Sequence, residues 1–397
     1  MKELIHRMDL SARLHMGMGN TYLAEYIELQ KASIEKICVG HPYIASTFYM
    51  PGEIYRLFDV EAIYIERLAG FAAANRLLPD IKLYSCVNRL PECACSYQIA
   101  FDSLLRKNCI PYPREIVALS YACDDAWMYG YYASEKYRTQ FYFIDVPRNL
   151  EILGEQLKAL SSKLRGRYRE KNSTREIVDI SNKTIALKEE IDRLRFENPG
   201  IMNSMDAFRM FTLYNDLGNP KVFDVLNNLK KRIHENLKGY TSPTGPKILW
   251  LGVIPLYHNR IVADLEKRYG CKIVYEELFD FTNQYLSVEN FFYDLASRIE
   301  KSVFFSLQNR LESIMHYKKA MGFDGIVHFS QRNCRFLPSM VPVLRREMEK
   351  AGIPFVEVAG DVVDPNDFNI ERFWNVMDVF FESIYGGTKF GYKGTRY

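Results

Sequence analysis

The sequence predicts an α/β protein in which two doubly wound, mostly parallel-sheet domains are joined by a helical segment. Two observations lead to this prediction. Short apolar runs alternate with helical stretches in the first and last parts of the chain, and the part between them shows helical spacing alone. We therefore divide the chain into an N-terminal α/β domain at 1–149, a helical segment at 150–240 and a C-terminal α/β domain at 241–397.

The N-terminal domain is predicted from four short runs with the composition of buried strands. Stretches of helical periodicity separate these runs, as in the βαβ units of a parallel sheet. The predicted strands are Lys36–Val39, Ala62–Ile65, Glu115–Ser120 and Phe141–Val146. Under this prediction Cys38 lies inside an apolar strand and belongs to the core.

The helical segment and the C-terminal domain meet at a loop. Within the segment, Ser173 followed by Glu176 forms a capping box, which predicts the start of a helix. The loop TSPTGP at 241–246 ends the segment, and alternating strands and helices follow it. The predicted strands of this second sheet lie at 247–254, 271–278, 325–329 and 354–358.

Charge and hydropathy exclude several classes of function. The chain of 397 residues has 52 basic and 49 acidic side chains, so its net charge of +3 indicates no nucleic-acid footprint and no basic membrane patch. The N-terminus has no apolar signal region, and the strongest apolar run, Ile248–Tyr257, is too short to span a bilayer. We expect a cytoplasmic protein whose eight cysteines stay free, bind metal or react.

The sequence lacks the motifs of nucleotide-binding loops and of serine hydrolases. It contains no G-x-G-x-x-G, no G-x-x-x-x-G-K-[ST] and no G-x-S-x-G. His328 lies within a predicted strand and is expected to be a core residue or a neighbour of a site rather than a ligand.

Cysteines follow predicted strands in both halves. Ligands of open α/β sheets bind outside the carboxyl ends of the strands, a rule that selects Cys123 in the first half and Cys334 in the second. Cys93 and Cys95 form a third candidate position. A free cysteine is more often a small buried apolar residue, and the spacing matches neither a zinc ribbon nor a ferredoxin. By that argument Cys271 is expected in the core.

The order of several segments resembles the D-component family shared by 2-hydroxyacyl-CoA dehydratases and benzoyl-CoA reductases. Tyr49–Ile54 (YMPGEI) is similar to a P-x-E-[IL] segment of that family. Leu90–Tyr97 and Ala118–Asp125 are similar to its first two cysteine segments, and Asn333–Arg335 is similar to its third. Further similar stretches are Arg310, 323–328, 352–354, 360–365 and 371–384.

The resemblance implies one [4Fe–4S] cluster per subunit, bound by Cys95, Cys123 and Cys334. A C-x-C is not the usual pattern of the family, so Cys93 remains an alternative to Cys95 as the first ligand. Three thiolates leave one iron free to bind an oxygen of the substrate.

The resemblance also implies the reaction and its partners. A single electron converts the thioester of a 2-hydroxyacyl-CoA into a ketyl radical, which expels the hydroxyl group and makes the β-proton acidic enough to lose. A separate ATP-hydrolysing iron–sulfur activator delivers the electron, and a homologous second subunit completes a heterodimer.

Acid–base groups are predicted less directly. Glu53, after the proline of the front segment, is the first candidate for proton transfer, and Ser46 and Thr47 could orient the substrate. Glu53 could equally be a first-turn carboxylate that interacts with a helix dipole.

Two other functions remain open from the sequence. A benzoyl-CoA-reductase-type subunit, an oxidoreductase, would carry the same cysteines. A double-cubane-type electron-transfer protein would need further cysteine ligands, for which Cys86, Cys93 and Cys109 are available.

Overall fold

The computed structural model describes residues 2–91, 93–258, 260–280 and 284–386. These residues form two four-stranded sheets in which all neighbouring strands are parallel. The predicted α/β class with two doubly wound parallel sheets is thereby confirmed. Residues 387–397 of the predicted C-terminal domain lie outside the described residues.

The two sheets repeat one topology. The first has the strand order β2-β1-β3-β4 and the second the order β6-β5-β7-β8. The strands of the first sheet are β1 (Tyr43–Ser46), β2 (Glu61–Tyr64), β3 (Glu115–Leu119) and β4 (Gln140–Ile144). Those of the second are β5 (Lys247–Gly252), β6 (Lys272–Glu276), β7 (Gly325–Gln331) and β8 (Phe355–Gly360). The sequence shows no internal repeat that would predict the same strand order in both sheets.

Helices precede, connect and follow the strands. Those of the first half are α1 (Lys2–Gly17), α2 (Thr21–Cys38), α3 (Glu53–Arg56), α4 (Ile65–Ala74), α5 (Ile81–Asn88), α6 (Ser96–Arg106) and α7 (Asp124–Tyr137). The stretch between the sheets contains α8 (Leu150–Arg165), α9 (Thr174–Glu197), α10 (Ser204–Met210) and α11 (Pro220–Leu237). The second half contains α12 (Ile261–Tyr269), α13 (Phe291–Glu300), α14 (Leu307–Met321), α15 (Phe336–Lys350) and α16 (Ile370–Ile384). Short 3-10 helices lie at Phe211–Asp216, Glu277–Phe279 and Pro365–Asp367.

Each sheet has a topological switch point at its centre. The chain leaves β1 for β2 on one side and later returns to place β3 on the other side, and β5, β6 and β7 do the same. Loops diverge at the carboxyl ends of such neighbouring strands and leave a crevice there. The fold therefore provides two crevices, one at β1/β3 and one at β5/β7.

One predicted strand is wrong. Lys36–Val39 belongs to the end of α2, and the first strand is β1, a few residues later. The short run fits a strand by composition, but its buried Ile37 continues the helical spacing of the buried residues before it, such as Gln30 and Ile34. The correction extends to Cys38, which is exposed at the end of the helix instead of lying in the core.

Helices between the sheets tie the halves together. Helix α8 packs against α13 of the second half, and α9 contacts both α11 and α14. Arg195 on α9 forms a buried ion pair with Glu276 at the end of β6. No helix in the described part of the chain is long and apolar enough to cross a membrane.

The predicted capping box is confirmed at the start of α9. The Ser173 hydroxyl accepts a hydrogen bond from the Glu176 backbone N–H at 3.3 Å, and the Glu176 carboxylate accepts one from the Ser173 N–H at 2.7 Å. Two N–H groups that lack helical partners are satisfied in this way.

We expect Ser173→Ala to lower the free energy of unfolding by about 1 kcal/mol, because it leaves an N–H of the first turn without its acceptor. Ser173→Gly is the matched control and should lower it by only a few tenths of a kcal/mol, since glycine is tolerated at this position. Urea unfolding measures both values. Equal stability of the alanine variant and the unchanged protein would contradict the capping role.

Candidate functional site

A cavity of about 420 Å³ lies between the two crevices. Residues directly after the central strands of both sheets line it, as expected for a ligand site in this kind of fold. These lining residues are Thr47, Phe48 and Tyr49 after β1, Tyr121, Ala122 and Cys123 after β3, Val253, Ile254 and Leu256 after β5, and Cys334 after β7.

Cys95, Cys123 and Cys334 all line this cavity, and each lies at the start of a helix. Cys95 and Cys123 are the N-cap residues of α6 and α7, and Cys334 lies two residues before α15. Backbone N–H groups of the first helical turns form hydrogen bonds that favour the ionised form of each sulfur. Helix N-termini are places where a negative charge is stabilised.

Burial has the opposite effect on the three thiols, because it favours their neutral, protonated form. It raises the pKa of Cys95 well above the ordinary value and also raises the pKa of Cys123 and of Cys334. Charge on Cys123 or Cys334 would raise the pKa of Cys95 further, so the three sulfurs are close enough to interact. A positively charged metal centre among them would favour loss of all three protons.

The backbone before two of the cysteines is held in the left-handed region. Ala122, before Cys123, has φ of +59°, and Asn333, before Cys334, has φ of +63°. This conformation of a residue with a Cβ costs about 1 kcal/mol, although asparagine tolerates it better than alanine. The same strand, left-handed turn, cysteine and helix thus occur in both halves.

Gln331 joins the cysteine segments of the two halves. Its Nε2 donates to Ser96 Oγ at 2.9 Å and to Asp361 Oδ2 at 3.0 Å. Ser96 directly follows Cys95, and Gln331 lies three residues before Cys334. This contact fixes the start of α6 relative to the end of β7.

Cys93 is placed differently from Cys95. It is exposed and does not line the cavity, and Arg335 Nη2 lies 3.8 Å from its sulfur. The N-cap position of α6 puts the second cysteine of the C-x-C in the cavity. The remaining cysteines also lie elsewhere: Cys38 and Cys86 are exposed, Cys109 is half-buried, and Cys271 is buried in the core as predicted.

Among the described residues, no group of three or more His, Cys, Asp or Glu side chains is arranged to hold a single metal ion. The features of the cavity that could hold a metal cluster are the three cysteines that line it and the helix N-termini next to them.

Glu66 is the carboxylate of the cavity. It lies in the first turn of α4, directly after β2, and Gln98 Nε2 donates to its Oε1 at 3.2 Å. Its Oε2 atom is buried without a hydrogen-bond partner among the described residues. Burial raises the pKa of Glu66 to about 7. A carboxyl group with such a pKa can exist in both protonation states near neutral pH.

Helix α4 forms one wall of the cavity. Glu66, Gly70 and Ala74 line it from successive turns, over about 12 Å of helix length. A Cβ at Gly70 would lie 2.9 Å from Leu256 Cδ1, so a larger residue here would require the end of that side chain to shift.

Glu53 and Ser46, the residues predicted from sequence for acid–base chemistry and orientation, do not line the cavity. Glu53 is fully buried, pairs with Arg298 and accepts a hydrogen bond from Ser181 Oγ at 2.7 Å. The Ser46 hydroxyl lies 2.8 Å from Tyr55 Oη. These contacts favour structural roles. Thr47, the third predicted residue, does line the cavity.

A second buried network surrounds the β5/β7 switch point. Arg310 donates to both carboxylate oxygens of Glu277, which in turn accepts from the Gly252 N–H at 3.0 Å. His328 is fully buried, with Nε2 2.9 Å from Arg310 Nη2 and Nδ1 3.0 Å from Ser330 Oγ. The expectation that His328 is a core residue is confirmed.

Sequence reasoning missed Glu66, Gln331 and the contribution of the first two helices. Met8 and His15 of α1 and Ile27 of α2 also line the cavity. The strand-end rule could have found Glu66, because it follows β2 by two residues. No local signal marks the two helices as part of the site.

The family model described as 2-hydroxyglutaryl-CoA dehydratase, D-component, matches residues 47–384. The matched span covers most of the chain and includes the three cysteines of the cavity, whereas α1 and α2 precede it. No curated protein matches the chain significantly.

We expect Glu53→Gln to lower the free energy of unfolding by about 3–5 kcal/mol, because the substitution leaves Arg298 buried without its counter-charge. Glu190→Gln is the matched control. Glu190 pairs with Lys230 near the surface, and its loss should cost less than about 1 kcal/mol. Denaturant unfolding of both variants measures the difference, and similar effects would contradict the structural role of Glu53.

Proposed function

The chain belongs to the 2-hydroxyglutaryl-CoA dehydratase D-component family, and from this premise we propose that it is the iron–sulfur subunit of a 2-hydroxyacyl-CoA dehydratase. Such an enzyme is a lyase that removes water from a 2-hydroxyacyl-CoA and releases an enoyl-CoA. The observation that carries the proposal is the convergence of Cys95, Cys123 and Cys334 on one cavity, although two come from the first half of the chain and one from the second.

The residues of the cavity fit a [4Fe–4S] cluster held by these three cysteines. The sulfurs face a common space, interact electrostatically and receive hydrogen bonds from helix N-termini. When bound, such a cluster would keep one iron without a protein thiolate and would supply a Lewis acid for an oxygen of the substrate.

The proposed reaction uses one electron that is returned. An electron enters the thioester carbonyl of the 2-hydroxyacyl-CoA and makes a ketyl radical anion. The radical expels the hydroxyl group as hydroxide, and the β-carbon then loses a proton to a base. Return of the electron yields the enoyl-CoA, so the net loss is hydroxide and a proton, which together are water.

Aromatic side chains of the cavity would exclude water from such a radical. The Tyr49 ring contacts Tyr121 with centroids 4.9 Å apart, and Phe48 contacts Phe211 at 5.0 Å. Tyr121 Oη donates to Ser302 Oγ at 2.7 Å, which fixes its ring. A dry, rigid wall strengthens electrostatic interactions within the cavity and suppresses side reactions.

The proposal includes partners and a location. A homologous second subunit completes the dehydratase, and an ATP-hydrolysing iron–sulfur activator supplies the electron. The acyl-CoA is the substrate, and neither nucleic acid nor a membrane takes part. The cytoplasm, predicted from the sequence, is the proposed location.

We expect the anaerobically purified protein to contain about four iron atoms per chain, as one cubane cluster requires. Cys95→Ala, Cys123→Ala and Cys334→Ala should each lose most of the iron, because each removes a cavity sulfur. Cys93→Ala and Cys271→Ala are matched controls outside the cavity and should keep it. Iron analysis and visible absorption measure the outcome. Stoichiometric zinc without iron would overturn the cluster, and about eight irons per chain would favour the double-cubane type of protein.

We expect enoyl-CoA to form in large excess over the electrons supplied, because a dehydratase returns its electron after each turnover. The assay mixes the two-subunit complex, the activator, ATP, limiting dithionite and a series of 2-hydroxyacyl-CoA esters, and counts product per electron. Benzoyl-CoA in place of these esters is the control. Product that never exceeds the electrons supplied would favour the reductase-type alternative.

A further inference from the structure

We propose that Glu66 is the proton-transfer residue of the reaction and that Gln98 positions it. This inference rests on the proposed function and adds a catalytic residue to it. Glu66 is the only aspartate or glutamate among the described residues that line the cavity, and Cys95, Cys123 and Cys334 line the same space. Its Oε2 atom has no hydrogen-bond partner there and can accept or donate a proton.

Two features fix the position of Glu66. Its backbone belongs to the first turn of α4, directly after β2. Gln98, on α6 three residues after Cys95, donates to Oε1 and leaves Oε2 free. The carboxyl group is therefore held at the wall of the cavity that the three cysteines also line.

One carboxyl group can perform both proton transfers of the dehydration, first as an acid and then as a base. Protonated Glu66 gives its proton to the departing hydroxide, which leaves as water when the C–O bond of the substrate breaks. The resulting carboxylate then takes the proton of the β-carbon as that C–H bond breaks, and the electron pair stays with the organic radical. Glu66 ends protonated, and the electron from the activator returns to its donor.

The titratable groups that face Glu66 do not compete for this role near neutral pH. Tyr49 and Tyr97 come from the loop after β1 and from α6. Burial raises the pKa of both tyrosines, and a charge on Glu66 would raise it further. Both tyrosines stay uncharged in the range where Glu66 changes its protonation state. A thiolate at Cys123 that binds the proposed cluster is not available for proton transfer either.

A proton-transfer role and a structural role make opposite predictions for stability. The pKa of folded Glu66 lies above its ordinary value, so the folded state favours the protonated form. Stability from this preference is present at acidic pH and lost as the pH rises through about 7. Glutamine carries no charge at any pH, so the Glu66→Gln variant does not lose stability in this way. Glu276 provides the contrast, because it is buried and paired with Arg195. Replacing it with a neutral residue leaves the Arg195 charge buried without a partner and lowers stability.

The test compares Glu66→Gln, Glu66→Asp and the control Glu276→Gln in the complete two-subunit enzyme. We expect Glu66→Gln to keep its iron and to unfold at a higher temperature than the unchanged protein at pH 8, with a smaller difference at pH 6. Its kcat should fall about 100-fold or more, as for loss of an acid–base group, with KM nearly unchanged. Glu66→Asp should keep more activity, and Glu276→Gln should unfold at a lower temperature at both pH values.

The outcomes separate this inference from the proposed function. A wild-type complex that dehydrates its substrate while Glu66→Gln keeps its kcat within about threefold overturns the role of Glu66 alone. Loss of both iron and thermal stability in Glu66→Gln also overturns it, because that result indicates a structural residue. A wild-type complex with full iron content that dehydrates no CoA ester overturns the proposed function and this inference together.

Discussion

The two sheets have to be held with their carboxyl ends towards each other, and the buried ion pair between Glu53 and Arg298 is central to this arrangement. Glu53 begins α3 after the loop that follows β1, and Arg298 lies on α13 of the second half. Neither side chain is exposed, so neither charge can leave its partner without standing alone in the interior. The contact between Gln331 and Ser96 repeats the connection nearer to the cysteines. Without such ties, each crevice would hold only part of the site.

Both halves place a cavity cysteine, Cys123 or Cys334, with the same local structure. A buried strand is followed within three residues by a left-handed residue, then by a cysteine, and a helix begins close to that cysteine. Burial disfavours the charge of each sulfur, and the helix N-terminus favours that charge. Such a balance suits a thiol that is neutral when no metal is bound and is ionised when a metal binds. Cys95 obtains the same combination from α6 without a preceding strand.

The fold class and two of the cavity cysteines could be predicted from the sequence because both depend on local patterns. Strand and helix periodicity is read within a few residues, and the strand-end rule places Cys123 and Cys334. Lys36–Val39 was misassigned because a four-residue run fits either structure, and its helix is decided by the residues before it. Glu53 and Glu66 are both first-turn carboxylates of helices. Their difference depends on Arg298, which lies 245 residues from Glu53 and has no local trace in the sequence.

The origin of the cavity in both halves has a consequence for how the protein is made. During synthesis on the ribosome, the first sheet is complete long before the strand that precedes Cys334 has been translated. A nascent chain of that length carries two of the three cavity sulfurs and 20 of the 33 lining residues. The pocket comes into existence only when β7 and the start of α15 have emerged and docked. The cluster proposed for this cavity could therefore gain its third thiolate only after Cys334 has been translated.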